Sequence, residues 1–190
     1  SINLYYNSKR QLQIFSKAEF DQPFLSIKTS IKKLSYSFAV IELIDKTVNG
    51  EESHHQLFDL TKNILSAIND NKGKINILFW FFQLKLLSLL GFKPNLFNCS
   101  NCQNSLNSAN FLSGELFCIQ CSNSAGIKLS KNSLSLLKKI NKIEIDDIPK
   151  LKISIFERKE IGEFLKQYYS YHIDGLREIK SLRVMESILN

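Results

Sequence analysis

The sequence predicts a mostly α-helical protein with a short β-hairpin at its N-terminus and a four-cysteine segment inserted between helices. Apolar residues recur at three- and four-residue steps along most of the chain. Residues 95–125 lack this period, are rich in Asn and Ser, and contain every cysteine. The composition, with 44% hydrophobic residues, seven Gly and three Pro among 190 residues, permits a packed core and excludes a disordered or collagen-like chain.

The first fifteen residues predict the hairpin. Ile2–Tyr6 and Gln11–Phe15 are strand-like runs, separated by a turn at residues 7–10. An isolated hairpin is marginally stable in water, so these strands need partners that the remaining sequence does not offer. The single methionine is Met185, and we therefore expect that Ser1 is not a natural start and that a segment precedes it. No basic segment followed by an apolar stretch, as in a signal peptide, opens the chain.

Two amphipathic helices are predicted after the hairpin. Asp21 caps the first, which has Pro23 in its first turn and runs to about Val48. Ser53 caps the second. The inner face of the second helix is apolar and consists of Leu57, Leu60, Ile64, Leu65 and Ile68. After Lys17 we expect only helices and loops, apart from a hairpin inside the cysteine segment.

A third helix, from about Lys74 to Leu90, is apolar almost all the way round, which predicts a central and buried position. Gly91 ends it, and Pro94 prevents its continuation. Polar residues interrupt the apolar run, whereas a membrane span needs about 20 nearly unbroken apolar residues. A buried core helix is therefore the better interpretation, and we expect no membrane association.

The C-terminal part of the chain predicts three more helices. Ser130 caps one that runs to about Asn141, and an acidic loop follows it. A long helix with one apolar side follows this loop. Its inward residues are Ile161, Phe164, Leu165, Tyr168, His172 and Ile173. A final helix, from about Arg177 to Leu189, turns Leu182, Met185 and Leu189 inward, and Gly175 separates it from the long helix.

The four cysteines form two pairs of the C-x-x-C type. Cys99 and Cys102 make the first pair, and Cys118 and Cys121 make the second, with fifteen residues between the pairs. This spacing is typical of a tetrathiolate zinc site, because each C-x-x-C turn directs two thiolates at one point about 2.3 Å away. A hairpin across Ser113-Gly114 would bring the pairs together. The sequence thus predicts one structural Zn²⁺ per chain.

Other interpretations of these cysteines remain open. Two redox disulfides, or an iron–sulfur cluster with the same ligands, would fit the residue types, and a fortuitous spacing is the third alternative. Many zinc knuckles have Gly after the second cysteine, whereas Gln103 stands there in this chain. Four sulfur ligands leave no open coordination position, so a zinc ion held by them would be structural.

The net charge of +7 is concentrated in the middle of the chain. Residues 71–142 carry nine Lys and one acidic residue, whereas residues 1–70 are neutral and residues 143–190 carry a charge of −1. On the helix after Ser130, lysines share one face and apolar residues the other. The candidate DNA contacts are Lys128, Lys131, Lys138, Lys139 and Lys142. An ordinary solvated lysine face is the alternative interpretation.

No catalytic constellation is recognisable in the sequence. His54 and His55 open a helix without metal-ligand neighbours, and His172 falls on an apolar helix side, where a hydrogen-bonded core histidine is expected. Asp146 and Asp147 are adjacent and point apart on any regular element, which argues against paired-carboxylate chemistry. Phosphate-binding and nucleophile-elbow motifs are absent from the sequence. We therefore expect a protein that is not an enzyme.

Several segments resemble the bacterial recombination mediator RecO. Leu86–Cys102, with Leu-Gly-Phe-Lys-Pro at residues 90–94, is similar to the family's approach to its first cysteine pair, and Phe111–Cys121 to its second. Ala39–Asp45 and Gln56–Leu60 resemble its first two helices. Residues 1–20 resemble the last strands of an N-terminal OB-fold barrel, and residues 171–182 resemble the final helices.

The resemblance implies two domains: the incomplete end of an OB-fold at residues 1–20, and a helical domain at 21–190 with a zinc ribbon at 95–125. It also implies a cytoplasmic DNA-repair protein without catalysis, which binds single- and double-stranded DNA and anneals strands. The implied partners are RecR and the C-terminal tail of single-stranded DNA-binding protein, through which recombinase is loaded. The main alternative function is a zinc-ribbon adaptor whose basic face docks an acidic protein; a thiol oxidoreductase is a further one.

Overall fold

Helices dominate the architecture, as the periodicity predicts. The structure, a computed structural model, describes residues 2–48, 54–176 and 178–189, with side chains as far as Val184. The expected cap Ser53, the start at Arg177 and the inward side chains of Met185 and Leu189 lie outside this description. In chain order, the described elements are β1 (Ile2–Tyr5), β2 (Ile14–Ala18), α1 (Leu25–Lys28), α2 (Ile31–Thr47), α3 (His55–Asn69), α4 (Ile75–Leu89), β3 (Ala109–Leu112), β4 (Glu115–Phe117), α5 (Ile119–Ser122), β5 (Ile127–Leu129), α6 (Lys131–Lys142), α7 (Ile155–His172) and α8 (Lys180–Leu189).

Helix α4 forms the centre of the core, as its all-round apolar surface predicts. Even its polar residues Asn76 and Gln83 are buried. Helices α2, α3 and α6 pack around it, and α7 is tied to it by two hydrogen bonds. The Tyr169 hydroxyl donates to the Gln83 carbonyl at 2.8 Å, and the Tyr168 hydroxyl donates to the Phe92 carbonyl just beyond α4 at 3.1 Å. In the described part of the chain, no helix has both the length and the hydropathy needed to cross a bilayer.

The single helix expected from Asp21 to Val48 is in fact two helices, α1 and α2. The break occurs at Ser30, whose side chain accepts a hydrogen bond from the Lys33 amide and caps α2. Asp21 does not cap a helix, because α1 begins only at Leu25 with Phe24 at its N-cap; the Asp21 carboxylate pairs with Lys62 on α3 instead. A local cap therefore overrides the apolar periodicity that runs through the break.

The N-terminal hairpin forms with a shifted second strand. β1 and β2 pair antiparallel, but β2 begins at Ile14 instead of Gln11. The Gln13 side chain explains the shift, because its amide nitrogen donates to the carbonyls of Asn7 and Arg10 and its oxygen accepts from the Asn7 amide. These bonds hold residues 7–13 as a loop. The strands are exposed throughout, and in the described residues they pair only with each other.

A second, three-stranded sheet has the order β4-β3-β5. The hairpin predicted across Ser113-Gly114 joins β3 to β4, with both turn residues in the left-handed region. The expectation of only helix and loop outside that hairpin was wrong for β5, a strand of three residues that pairs with β3. So short a strand has no periodicity of its own and depends on its partner.

Helix α8 is attached to α2 through a carboxylate. The Glu42 carboxylate accepts hydrogen bonds from the backbone amides of Lys180 and Ser181 at 2.8 and 3.0 Å, and from the Ser181 hydroxyl at 2.6 Å. Burial would raise the pKa of Glu42, but the bonds from Ser181 and Lys180 outweigh it and hold the pKa below the ordinary 4.5. Glu42 thus caps a helix that is distant in sequence.

Replacing Glu42 by Gln is expected to lower the free energy of unfolding by about 0.5–1 kcal/mol near neutral pH, since the site is partly exposed to solvent. The pKa of Glu42 is lower in the folded state than its ordinary value of 4.5. The extra stability of wild type over the Gln variant is therefore fully present above pH 4.5, and it is lost as the pH falls through the lowered pKa. Urea unfolding of both proteins over a pH series measures this difference.

The matched control for that series is Glu163→Gln on α7, where the carboxylate accepts from the exposed Gln167 side chain at 3.2 Å. It should stay close to wild type at every pH. A Glu42→Gln difference that does not change with pH would contradict the capping role.

Candidate metal centre and basic face

The four predicted cysteines converge on one point. Their sulfur atoms all lie within 4.8 Å of one another, and the Cys102 and Cys118 sulfurs are 3.8 Å apart. Sulfurs at the corners of a tetrahedron with metal–sulfur bonds of about 2.3 Å are separated by about 3.8 Å. All four are free thiols. The donor set therefore fits a single metal ion coordinated by four thiolates.

Backbone hydrogen bonds fold the two cysteine turns towards each other. The Cys99 amide donates to the Asn104 carbonyl at 2.9 Å, and the Ser100 amide donates to the Leu116 carbonyl at 3.0 Å. The second of these joins the first turn to strand β4. The Cys118 amide, at the start of α5, donates to the Cys99 sulfur at 3.3 Å. The ladder between β3 and β4 thus brings the second pair to the first.

Gln103 occupies the position where many zinc knuckles have Gly, and its φ of +59° is in the left-handed region that favours Gly. Three hydrogen bonds stabilise it there. The Gln103 amide donates to the Cys99 carbonyl, and the Gln103 side chain donates to the Ser100 carbonyl. The Asn98 side chain donates to the Gln103 carbonyl. The turn keeps its geometry despite the missing Gly.

The surroundings of Cys99 and Cys121 move their pKa values in opposite directions. Burial would raise the pKa of Cys99, but backbone amides, among them those of Cys102, Cys118 and Asn101, outweigh it and lower the pKa to about 6. A hydrogen bond to Asn101 lowers the pKa of Cys121, but the neighbouring sulfurs dominate and raise it to about 12. A divalent cation would stabilise the remaining thiolates against this mutual repulsion.

The metal segment, residues 95–125, packs against α7 through aromatic rings. The Phe111 ring lies 5.5 Å from the rings of Phe164 and Tyr168. His172 is half-buried and its Nε2 lies 2.9 Å from the Gly114 carbonyl oxygen, so it has the hydrogen-bond partner expected for a core histidine. A Cβ atom at Gly114 would come within 2.2 Å of the Tyr171 ring, which explains why Gly stands at this turn.

The predicted lysines of α6 do not form one uniform surface. Lys131, Lys139 and Lys142 are exposed, as is Lys128 on β5. Lys138 is half-buried, and its ammonium donates to the Leu106 carbonyl in the metal segment at 2.7 Å. Burial, with a smaller contribution from Lys142, lowers the pKa of Lys138. We therefore define the basic face as Lys128, Lys131, Lys139 and Lys142, and assign Lys138 to the junction with the metal segment.

An aromatic residue missed in the sequence lies at this junction. The Lys138 and Lys142 ammonium groups are 5.3 and 4.9 Å from the centre of the Phe97 ring. Phe97 lies six residues after Gly91, in a loop without helical period. Only the folded chain shows that the loop returns to α6.

Two interactions set the position of α6. Ser130 caps it as predicted, accepting from the Ser133 amide. The Glu160 carboxylate on α7 accepts from the Ser130 amide at 2.9 Å and the Ser130 hydroxyl at 2.6 Å. Burial would raise the pKa of Glu160, but the bonds from Ser130 and Ser133 hold it below its usual range. The basic face is therefore carried on a helix that is fixed at its N-terminus.

Similarity to known proteins identifies the family of this chain. Residues 28–183 match the family described as "Recombination protein O C terminal". The chain belongs to this family. Proteins named DNA repair protein RecO are similar over most of its length, and three of them illustrate the level of similarity. The relative from Alkaliphilus metalliredigens is 28% identical over 94% of this chain and 74% of its own length, that from Chloroherpeton thalassium 26% over 98% and 77%, and that from Pelotomaculum thermopropionicum 29% over 93% and 70%. The RecO resemblance of the cysteine and helix segments is thereby confirmed.

Replacing Cys118 by Ser removes one of the four sulfur ligands and also changes the residue at the start of α5. We expect the purified variant to bind much less metal than wild type, and its metal segment to lose protection from hydrogen exchange while α4 keeps it. Elemental analysis gives the metal-to-chain ratio, and exchange mass spectrometry gives the protection of each segment.

Gln120→Ala is the matched control, because Gln120 is exposed on α5 between two cysteines. It should retain the wild-type metal content. A wild-type chain without metal, or a Cys118→Ser chain with undiminished metal, would refute the four-sulfur site.

Proposed function

We propose that this chain is a non-catalytic DNA-binding protein of DNA repair, which holds phosphate backbones of single- and double-stranded DNA on the basic face of α6. Its relatives are DNA repair proteins by name, and the excess positive charge falls within residues 71–142. The observation that carries the proposal is the exposure of Lys131, Lys139 and Lys142 along one helix beside the metal segment. Such a lysine row suits the regularly spaced charges of a phosphate backbone.

The metal we propose is one structural Zn²⁺ per chain, bound by Cys99, Cys102, Cys118 and Cys121. The proximity of the four sulfurs and the tetrahedral separation of Cys102 and Cys118 support it. Zinc would stabilise a segment rich in Asn and Ser. Four thiolates would leave it no position for a substrate, in keeping with a protein that is not an enzyme. An iron–sulfur cluster would also use four thiolates, and it would be coloured and redox-active.

The finer activities follow from family resemblance. We propose that the protein anneals complementary strands and works in the bacterial cytoplasm with RecR and with the C-terminal tail of single-stranded DNA-binding protein to load recombinase. Membership of the family is the support for each of these partners.

The domain proposal is that residues 1–20 end an OB-fold barrel and that residues 21–190 form the helical domain, with the zinc ribbon at 95–125. The exposed N-terminal hairpin supports it. The strands present large apolar side chains to solvent, including Ile2, Tyr5, Ile14 and Phe15. Strand edges and apolar faces of this kind are normally covered by further strands.

Changing Lys131, Lys139 and Lys142 together to Gln tests the basic face. Each neutralised phosphate contact releases counterions, so the slope of log affinity against log salt should flatten by roughly two to three units on duplex DNA. Stability should change little, because exposed substitutions typically cost about 0.5 kcal/mol or less each. Fluorescence anisotropy of labelled DNA over a salt series provides the measurement.

The matched control replaces Lys28, Lys32 and Lys46, which are exposed in the charge-neutral first part of the chain. Their loss should leave the slope near that of wild type. Equal weakening by both triple variants would overturn the assignment to α6. A wild-type chain that binds an acidic protein but neither form of DNA would favour the adaptor function instead.

A further inference from the structure

We propose that Phe97 is a base-stacking residue that gives this chain a preference for single-stranded over double-stranded nucleic acid, with Lys138 and Lys142 beside it to hold the adjoining phosphate. The proposal rests on the DNA binding proposed above and adds to it a specific contact and a specificity. The argument depends on the position of the ring, its exposure and the charges around it.

The Phe97 backbone is held rigidly. Its amide donates to the Asn95 side-chain oxygen at 3.1 Å, and its carbonyl accepts from the Leu106 amide at 2.7 Å. The neighbouring Asn98 forms a β-bridge with Ser105. A ring presented from a fixed loop loses little conformational freedom when it binds a ligand, which favours a recognition role.

The loop directs its apolar residues in opposite directions. Leu96 and Cys99 are fully buried, whereas Phe97 retains 39% of its exposure. Exposing a large aromatic side chain gives up the free energy that its burial would contribute. The Lys138 and Lys142 ammonium groups of α6 lie over the ring, and the exposed part of the ring is left to solvent. It is thus available to a ligand that approaches the basic face.

The charges around the ring favour an anionic ligand. Lys138 and Lys142 bring two ammonium groups to within 5.3 and 4.9 Å of the centre of the same ring. Burial, with a smaller contribution from the charge of Lys142, lowers the pKa of Lys138. Among the ion pairs of the described residues, none joins a carboxylate to either lysine. A phosphodiester would relieve the repulsion while its base reaches the ring. In a nucleotide, the phosphate and the base are separated by one sugar, so one nucleotide could reach both the lysines and the ring.

Strand selectivity follows from the ring. In a duplex the faces of the bases are already stacked inside the helix, whereas an unpaired base has a free face for an aromatic side chain. The lysines, in contrast, contact phosphates of either form. Phe97 should therefore contribute to single-strand affinity, and the lysines to both affinities.

The test replaces Phe97 by Leu in the 190-residue chain and measures anisotropy with oligo-dT and with a duplex of the same length. We expect affinity for oligo-dT to fall by about 5-fold or more while duplex affinity stays within about 2-fold, since one aromatic–base stack is lost. The salt dependence should not change, because no charge is removed. Lys142→Gln should weaken both probes and flatten the salt slope by about one unit.

Phe92→Leu is the matched control. Phe92 is 40% exposed, almost the same as Phe97, but its ring packs on His172 at 5.6 Å instead of lying beside lysines. It should leave both affinities unchanged. Phe97→Tyr keeps an aromatic ring and should restore oligo-dT binding, which separates stacking from any effect of the Leu variant on folding.

A direct readout comes from Phe97→Trp, because the chain's own Trp80 is buried. Oligo-dT should quench the introduced indole, and the duplex should quench it far less. Unchanged oligo-dT affinity in Phe97→Leu, or equal loss for both probes, would overturn the stacking role while leaving the proposed DNA binding in place. Failure of the wild-type chain to bind either probe would overturn both.

Discussion

Burial of α4 is the constraint on which the helical domain depends. A helix that is apolar on every side cannot be stable in water, and every face of it has to be covered by another element. Full burial of a Leu, Ile or Phe side chain contributes about 1.5–3 kcal/mol, and α4 carries a long series of them, from Ile77 to Leu87. The helices that cover α4 therefore have fixed inner faces, and only their outer faces are left for function. Helix α6 shows this division: Leu136, Leu137 and Ile140 are buried, while Lys131, Lys139 and Lys142 are exposed.

The metal segment combines apolar burial with polar attachments. Leu106, Phe111 and Leu116 are buried in the hydrophobic core, and hydrogen bonds attach the segment to the surrounding helices. One attachment is the bond from Lys138 to the Leu106 carbonyl, and another is the contact of His172 with the Gly114 carbonyl. These contacts attach the metal segment to α6 and α7.

The two proposals divide nucleic-acid recognition between these parts. Exposed lysines on a rigid helix supply long-range, salt-dependent attraction that does not depend on sequence. A ring on a rigid loop supplies a short-range contact that requires an unpaired base. Under these proposals the second contact would act only where the first has already brought the strand, so strand preference would arise without any reading of base sequence.

The amino-acid sequence by itself determined those features that depend on local pattern. Helical periodicity located α3, α4 and α6 to within a few residues and identified the inner face of α7, and the C-x-x-C spacing identified the four side chains that come together. The lysine face of α6 could also be predicted, because residues spaced at the helical period lie on the same face of a helix. The tertiary structure alone decided the strand β5, the capping of α8 by Glu42, and the positions of Lys138 and Phe97. Each of these depends on contacts between residues brought together by folding, and the periodicity of a single segment carries no information about which distant group it will meet.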